Sequence, residues 1–310
     1  MLISGGAKMG SMRMVWVVAV MMMSSFGVAQ KTTLLLWPGG NPEPSKVVGA
    51  ESVTTSVGAA GRSVVRVTNV SAPSLTVYAP AAGKSTAAAA LVFPGGSYLR
   101  LSYTTEGTDI CEWLNSIGMT CVLVKYRVPE DGHYPANVED LEDAQQAMRI
   151  TRAHAAEWGI DPQKVGVIGF SAGAHLAVAL STHPDFQGKN VAASTVDARP
   201  DFQMVIYPGW LTDPAGAGRV DSVLAPTLSV PPTFLVQAEN DYTAHVENVL
   251  IYFDALKNAK VPAELHVYTL GGHGFGMGAK ELPISGWTGL AETWLKTIHV
   301  LGPAGSVGMP

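Results

Sequence analysis

The strongest constraint in this chain is an alternation. Near-continuous apolar runs lie at Ala88–Phe93, Thr120–Lys125, Val165–Gly169, Phe202–Tyr207, Thr233–Gln237 and Ala263–Tyr268. Such runs read as strands covered on both faces. Most are separated by helical patterns, which predict helices over Asn137–Glu157, Ala172–Ser181, Val246–Ala259 and Gly286–His299, with another at Thr108–Ile117. In the first of these, Val138, Leu141, Ala144, Met148 and Thr151 recur at the spacing of one helix face. This alternation predicts an α/β fold, a mainly parallel central sheet with helices on both faces. In such sheets ligands sit beyond the carboxyl ends of the strands.

Upstream, the apolar stretch Leu34–Leu36 ends in the turn residues Pro38, Gly39 and Gly40, and residues 41–62 read as surface loop. Ser63–Val67 and Ser74–Tyr78 read as an antiparallel strand pair around Asn69 to Pro73, forming the N-terminal edge of the sheet. A length of 310 residues is near the upper limit for one domain and predicts a single α/β unit over 30–310. With 47% hydrophobic and 15% charged residues the chain is globular, not disordered. A net charge of −5 without a dense Lys/Arg cluster argues against nucleic acid and anionic membranes as partners.

Residues 1–29 read as a secretory signal peptide. Lys8 and Arg13 precede the apolar run Met14–Met23, and Gly27 and Ala29 stand three and one before the expected cleavage at Gln30. The run is shorter than the roughly 20 residues of a membrane span, so a stable anchor is not expected. Met9, Met12 and Met14 are alternative starts. The expected compartment is extracellular or periplasmic, where a disulfide is permitted. For Cys111 and Cys121, both at core-facing positions, the expectation is nevertheless two buried thiols. No Cys/His spacing suggests a metal, and no cofactor is expected.

Gly169-Phe170-Ser171-Ala172-Gly173 is a G-x-S-x-G pentapeptide lying between a predicted strand and a predicted helix. That context marks Ser171 as a nucleophile on a strained turn, with small residues two before and two after it. A serine hydroxyl needs a base. The best candidate is His273, flanked by glycines after the strand Ala263–Tyr268, ahead of His175, His183, His245 and His266. The orienting carboxylate is expected at Asp241, after the strand Thr233–Gln237, with Glu239 as its rival. Backbone donors for a developing oxyanion are expected from Gly96 and Ser97 in Pro94–Tyr98 and from Ala172.

On these motifs the chain resembles the α/β-hydrolase superfamily over residues 34–300. Leu36–Gly40, Pro94–Tyr98, Glu106-Gly107, Lys125–Arg127, Glu157–Pro162, Gly169–Leu176 and Gly271–Gly276 resemble bacterial secreted acetyl-xylan and feruloyl esterases. The resemblance implies a serine ester hydrolase acting on short-acyl or aromatic-acyl esters of carbohydrate. Ser97 stands where relatives usually have a third glycine, and Asn240 where an aspartate often precedes the acid. Only 25 residues, Pro208–Pro232, lie where lipases carry a helical lid, so an open site with a minimal lid is expected. Tyr98, Trp210 and Phe275 are candidate substrate contacts. A general short-chain carboxylesterase, a peptidase of the prolyl-oligopeptidase type and a non-catalytic binding protein remain as alternatives.

Overall fold

The computed structural model describes residue 1 and residues 31–43, 47–57, 63–130, 132–216, 218–278 and 280–302. The expected signal peptide lies outside the described residues, apart from Met1. In chain order the strands are β1 (Lys31–Leu35), β2 (Ser52–Val57), β3 (Ser63–Thr68), β4 (Ser74–Tyr78), β5 (Ala89–Phe93), β6 (Leu101–Ser102), β7 (Thr120–Lys125), β8 (Val165–Phe170), β9 (Gln203–Ile206), β10 (Thr233–Ala238) and β11 (Ala263–Tyr268). The α-helices are α1 (Asp109–Ser116), α2 (Glu139–Ala153), α3 (Ala172–Thr182), α4 (Glu247–Asn258) and α5 (Trp287–Thr297).

Eight strands form the main sheet in the order β1-β4-β7-β5-β8-β9-β10-β11. Pairing from β7 through β11 is parallel, and β4 runs against both of its neighbours. The two faces follow from the period-two geometry of a strand. On β5, Ala89, Leu91 and Phe93 face a core shared with α2, α3 and α4. Ala90 and Val92 face the opposite core, filled by Trp113 of α1 and by Trp287, Ala291, Trp294 and Leu295 of α5. Both faces are covered, which is why the sequence shows unbroken apolar runs and little alternation.

Three expectations need correction. β3 and β4 do not pair: β3 lies between β2 and β6 in a separate three-stranded sheet, while β4 enters the main sheet. Asn69, at φ 56°, and an antiparallel bridge from Val70 to Val128 turn the chain from one sheet to the other, so the turn signal is real but joins two sheets. The segment expected to be loop contains β2, a polar, mostly exposed strand without an apolar run to mark it. The cysteines are bridged, Cys111 to Cys121, with Cα atoms 5.1 Å apart. The turn after α1 folds the helix back over β7, and both sulfurs fall in the same buried layer.

Candidate active site

β8 ends at Phe170, and α3 begins at Ala172. Ser171 alone makes the turn, at φ 53° and ψ −117°, a backbone conformation that L residues rarely adopt. Two close approaches hold it. A side chain at Gly169 would collide with the Gly173 carbonyl, and one at Gly173 would collide with the Phe93 carbonyl on β5. The pentapeptide therefore needs its outer glycines for space, and the turn projects Ser171 at the carboxyl end of the sheet.

His273 Nε2 lies 2.9 Å from Ser171 Oγ, and His273 Nδ1 lies 2.7 Å from Asp241 Oδ2. The other Asp241 oxygen accepts from the amides of Thr243 and Ala244, each at 2.9 Å. A buried carboxylate with these three partners is fixed in place, and a carboxylate at Nδ1 leaves Nε2 free to accept the serine proton. Glu239 is exposed and makes no such contact. Asn240 serves the histidine loop instead. Its Oδ1 accepts from Gly271 and Gly272, at 3.0 and 2.9 Å, and fastens the loop that carries His273. Three of the rival histidines are occupied elsewhere, and the fourth, His245, lines a cavity that borders Ser171. His175 is buried, and its ring is pushed down to about 3, by burial first and by His133 second. His266 pairs with Glu264, and the His183 ring contacts the Val223 carbonyl.

Gly96, Ser97 and Tyr98 have φ values of 139°, 58° and 58°. Ser97 thus takes the left-handed conformation that glycine adopts at lower cost. Consecutive residues of this kind turn their N–H groups toward one concave side, as an anion nest does. Among the described residues no protein acceptor engages the amides of Gly96, Ser97 or Ala172. Ala172 adds the first amide of α3, at the positive end of the helix dipole.

Beneath this loop the Glu106-Gly107 motif takes a role that the sequence does not reveal. Glu106 is buried and accepts from the Gly95 amide at 2.8 Å and from the Tyr207 hydroxyl at 2.9 Å. The Tyr207 oxygen in turn accepts from the Gly276 amide at 3.2 Å, and the Tyr207 ring lies edge-on to His273, with centroids 5.3 Å apart. One carboxyl group thereby ties the oxyanion loop to the histidine loop. Burial raises the Glu106 pKa, opposed by the Tyr207 and Gly95 hydrogen bonds and by His273 and Arg66.

Two cavities meet at Ser171. One, of about 300 Å³, is lined by His133, Trp210, Thr212, Asp221 and His245. The other, of about 250 Å³, is lined by Arg66, Arg100, Ser102 and Thr105. The segment 208–232 supplies Gly209, Trp210, Thr212, Pro214 and Asp221 to the wall of the first cavity, and among its described residues the only helical element is the short turn Ser222–Leu224. Among the expected substrate contacts, Trp210 lines that cavity and is partly exposed. Tyr98 and Phe275 line neither cavity and are corrected to packing residues. The positive φ at Tyr98 turns its ring inward, where its hydroxyl meets His175 Nδ1 at 2.8 Å. Phe275 packs against Tyr207, with centroids 4.4 Å apart. Among the described residues no group of three or more His, Cys, Asp or Glu is placed to hold a metal ion.

This fold and this constellation define a class. The chain belongs to the α/β-hydrolase superfamily. The BD-FAE family profile matches residues 75–208. An acetylxylan esterase of Xylanibacter ruminicola is 33% identical over 207 residues, 60% of this chain and 40% of that protein. An endo-1,4-beta-xylanase B of Butyrivibrio fibrisolvens is 30% identical over 217 residues, 64% of this chain and 34% of that protein. The chain therefore spans about 40% or less of the length of these two relatives. Among solved structures, an acetyl ester-xyloside bifunctional hydrolase from Caldicellulosiruptor lactoaceticus superposes with a TM-score of 0.65 at 34% identity, over 74% of this chain and 90% of that one.

Proposed function

We propose that the protein is a serine carboxylic-ester hydrolase that removes short acyl groups, acetyl first and feruloyl as the alternative, from hemicellulose-like carbohydrate. The observation that carries this reading is the hydrogen-bonded chain Asp241–His273–Ser171, set beside unengaged amides. In the reaction, the Ser171 hydroxyl gives its proton to His273 Nε2 as its oxygen bonds to the ester carbonyl carbon. The amides of Gly96, Ser97 and Ala172 stabilise the carbonyl oxygen as it becomes negative. The imidazolium, stabilised by Asp241, returns the proton to the departing alcohol and leaves an acyl-serine. Water, deprotonated by His273, then releases the acid and restores the serine.

The acyl and alcohol preferences are supported by the open cavities and by the names of the relatives. Both cavities carry polar side chains on their walls, among them Asp221, His245, Arg66 and Arg100, so added methylenes, worth about 0.8 kcal/mol each when buried, gain little here. Export from the cytoplasm is part of the proposal, supported by the N-terminal pattern and by the Cys111–Cys121 bridge.

Initial rates on nitrophenyl acetate, butyrate and decanoate, with acetate release from acetylated xylan and ferulate release from methyl ferulate, test the proposal. We expect acetate to exceed decanoate in kcat/KM, and acetate to be released from the polymer. A preference for decanoate with no release from xylan would remove the carbohydrate assignment and leave a general carboxylesterase. Faster cleavage of a peptide anilide than of any ester would favour the peptidase reading.

A further inference from the structure

We infer that the cavity beside Gly96 is a carboxylate subsite, and that the preferred ester substrate carries an acidic sugar, a uronic-acid residue, next to the acyl group. The inference rests on the esterase reading and deepens it. Arg66 lies two residues beyond Val64 on β3, so period-two geometry sends both side chains into the same cavity. Arg66 pairs in register with Ser102 of β6, and Arg100 approaches from the loop that follows the oxyanion amides. Ser171 and His273 border the same cavity, so a group bound there lies alongside the reacting ester.

Among the described residues, these two guanidinium groups differ from the other arginines in their carboxylate partners. Arg127, Arg152, Arg199 and Arg219 each form an ion pair with a carboxylate, and Arg149 has Asp185 and Asp197 as electrostatic neighbours. Among the described residues, neither Arg66 nor Arg100 forms an ion pair, and Arg66 Nε, like one nitrogen each of Arg127, Arg149 and Arg152, is buried without a hydrogen-bond partner. The carboxylate that influences Arg66 is Glu106, whose oxygens already accept from Gly95 and Tyr207. A buried guanidinium donor with no acceptor is costly unless something supplies one. A carboxylate suits the forked donors of arginine, because it can accept two parallel hydrogen bonds. Ser97, Ser102 and Thr105 complete a lining with hydroxyl donors suited to a sugar ring.

The test compares mono-O-acetylated glucuronic acid with mono-O-acetylated glucose, acetylated at the same position, at low ionic strength. The wild-type protein should show a kcat/KM ratio of about tenfold or more in favour of the acid, carried mainly by KM. Raising the salt to about 0.5 M should compress that ratio. Arg66→Gln and Arg100→Gln should each lower the ratio within the same preparation, whatever they do to the absolute rates, and the double variant should bring it close to one. A wild-type ratio near one, or variants that slow both esters equally, would overturn the subsite and leave the esterase reading intact. Hydrolysis of neither ester, together with no turnover of nitrophenyl acetate, would overturn the esterase reading and this inference with it.

Discussion

Two regions of this molecule bury carboxyl groups, and they treat them in opposite ways. At the candidate active site, Asp241 and Glu106 each receive a hydrogen bond on both oxygens, from amides, a tyrosine or the imidazole. Around Arg127, by contrast, Glu139, Asp140, Glu142 and Asp143 crowd a single buried guanidinium, and Glu130 packs beside Glu139 and Asp140. Asp143 takes the best geometry, accepting from the Arg127 backbone amide, from its Nε and from Trp37 Nε1. The others share what is left. Burial, reinforced by Glu139 and Asp140, pushes Glu130 up to about 9, and burial pushes Asp140 up to about 7. The first region uses its donors to fix position. The second is a structural cluster in which Asp143 pairs with the guanidinium, while Glu130 and Asp140 stay buried by holding protons.

The largest effect that tests this contrast comes from Asp241. Replacing it by Asn keeps the shape but offers a donor where Nδ1 needs an acceptor, which favours the wrong imidazole tautomer. Asp241→Asn should lower kcat on nitrophenyl acetate by about 10⁴-fold, with the melting temperature little changed. A loss of less than about tenfold would shift the orienting role away from Asp241 and break the comparison at its first term.

A smaller effect, of a different kind, belongs to the Arg127 region. The Glu130 carboxyl keeps its proton in the fold up to about pH 9, whereas in the unfolded chain it releases it near about 4.3. Between those values the unfolded state binds fewer protons. The contribution of this group to stability therefore falls as pH rises and levels off above about 9. Asp140 acts in the same direction and levels off near 7. Gln imitates the protonated acid, so Glu130→Gln should raise the melting temperature at pH 9 by about 2–6 °C and leave it nearly unchanged at pH 4. Thermal melts across that range check this; an equal shift at both ends would show that the charge is not the cause.

The parts of the site that can be read from the sequence are those under local steric or positional constraint. Gly169, Ser171 and Gly173 are legible because the elbow permits only small residues at a fixed spacing. His273 and Asp241 are legible because each follows a strand whose carboxyl end must face the nucleophile. Glu106 and Tyr207, 101 residues apart, are joined only through tertiary structure, so the Glu106-Gly107 motif marks the position without telling its role. Arg66 likewise reaches the site only through tertiary structure, by way of the three-stranded sheet whose strand β2 has no apolar run to announce it. Tyr98 misleads because an aromatic residue beside a catalytic loop suggests stacking, whereas its backbone conformation sends the ring into the core. The cysteine bridge is illegible because sequence separation does not give the path of the intervening turn.

Covalent labelling tests the proposed role of Ser171 as the nucleophile. Treatment with a fluorophosphonate followed by peptide mass spectrometry should place one adduct on Ser171. Ser171→Ala should take up no label and lose activity by about 10⁴-fold or more, the scale expected when one member of a triad is removed. An adduct on another residue, or an alanine variant with activity near that of the wild type, would contradict the account.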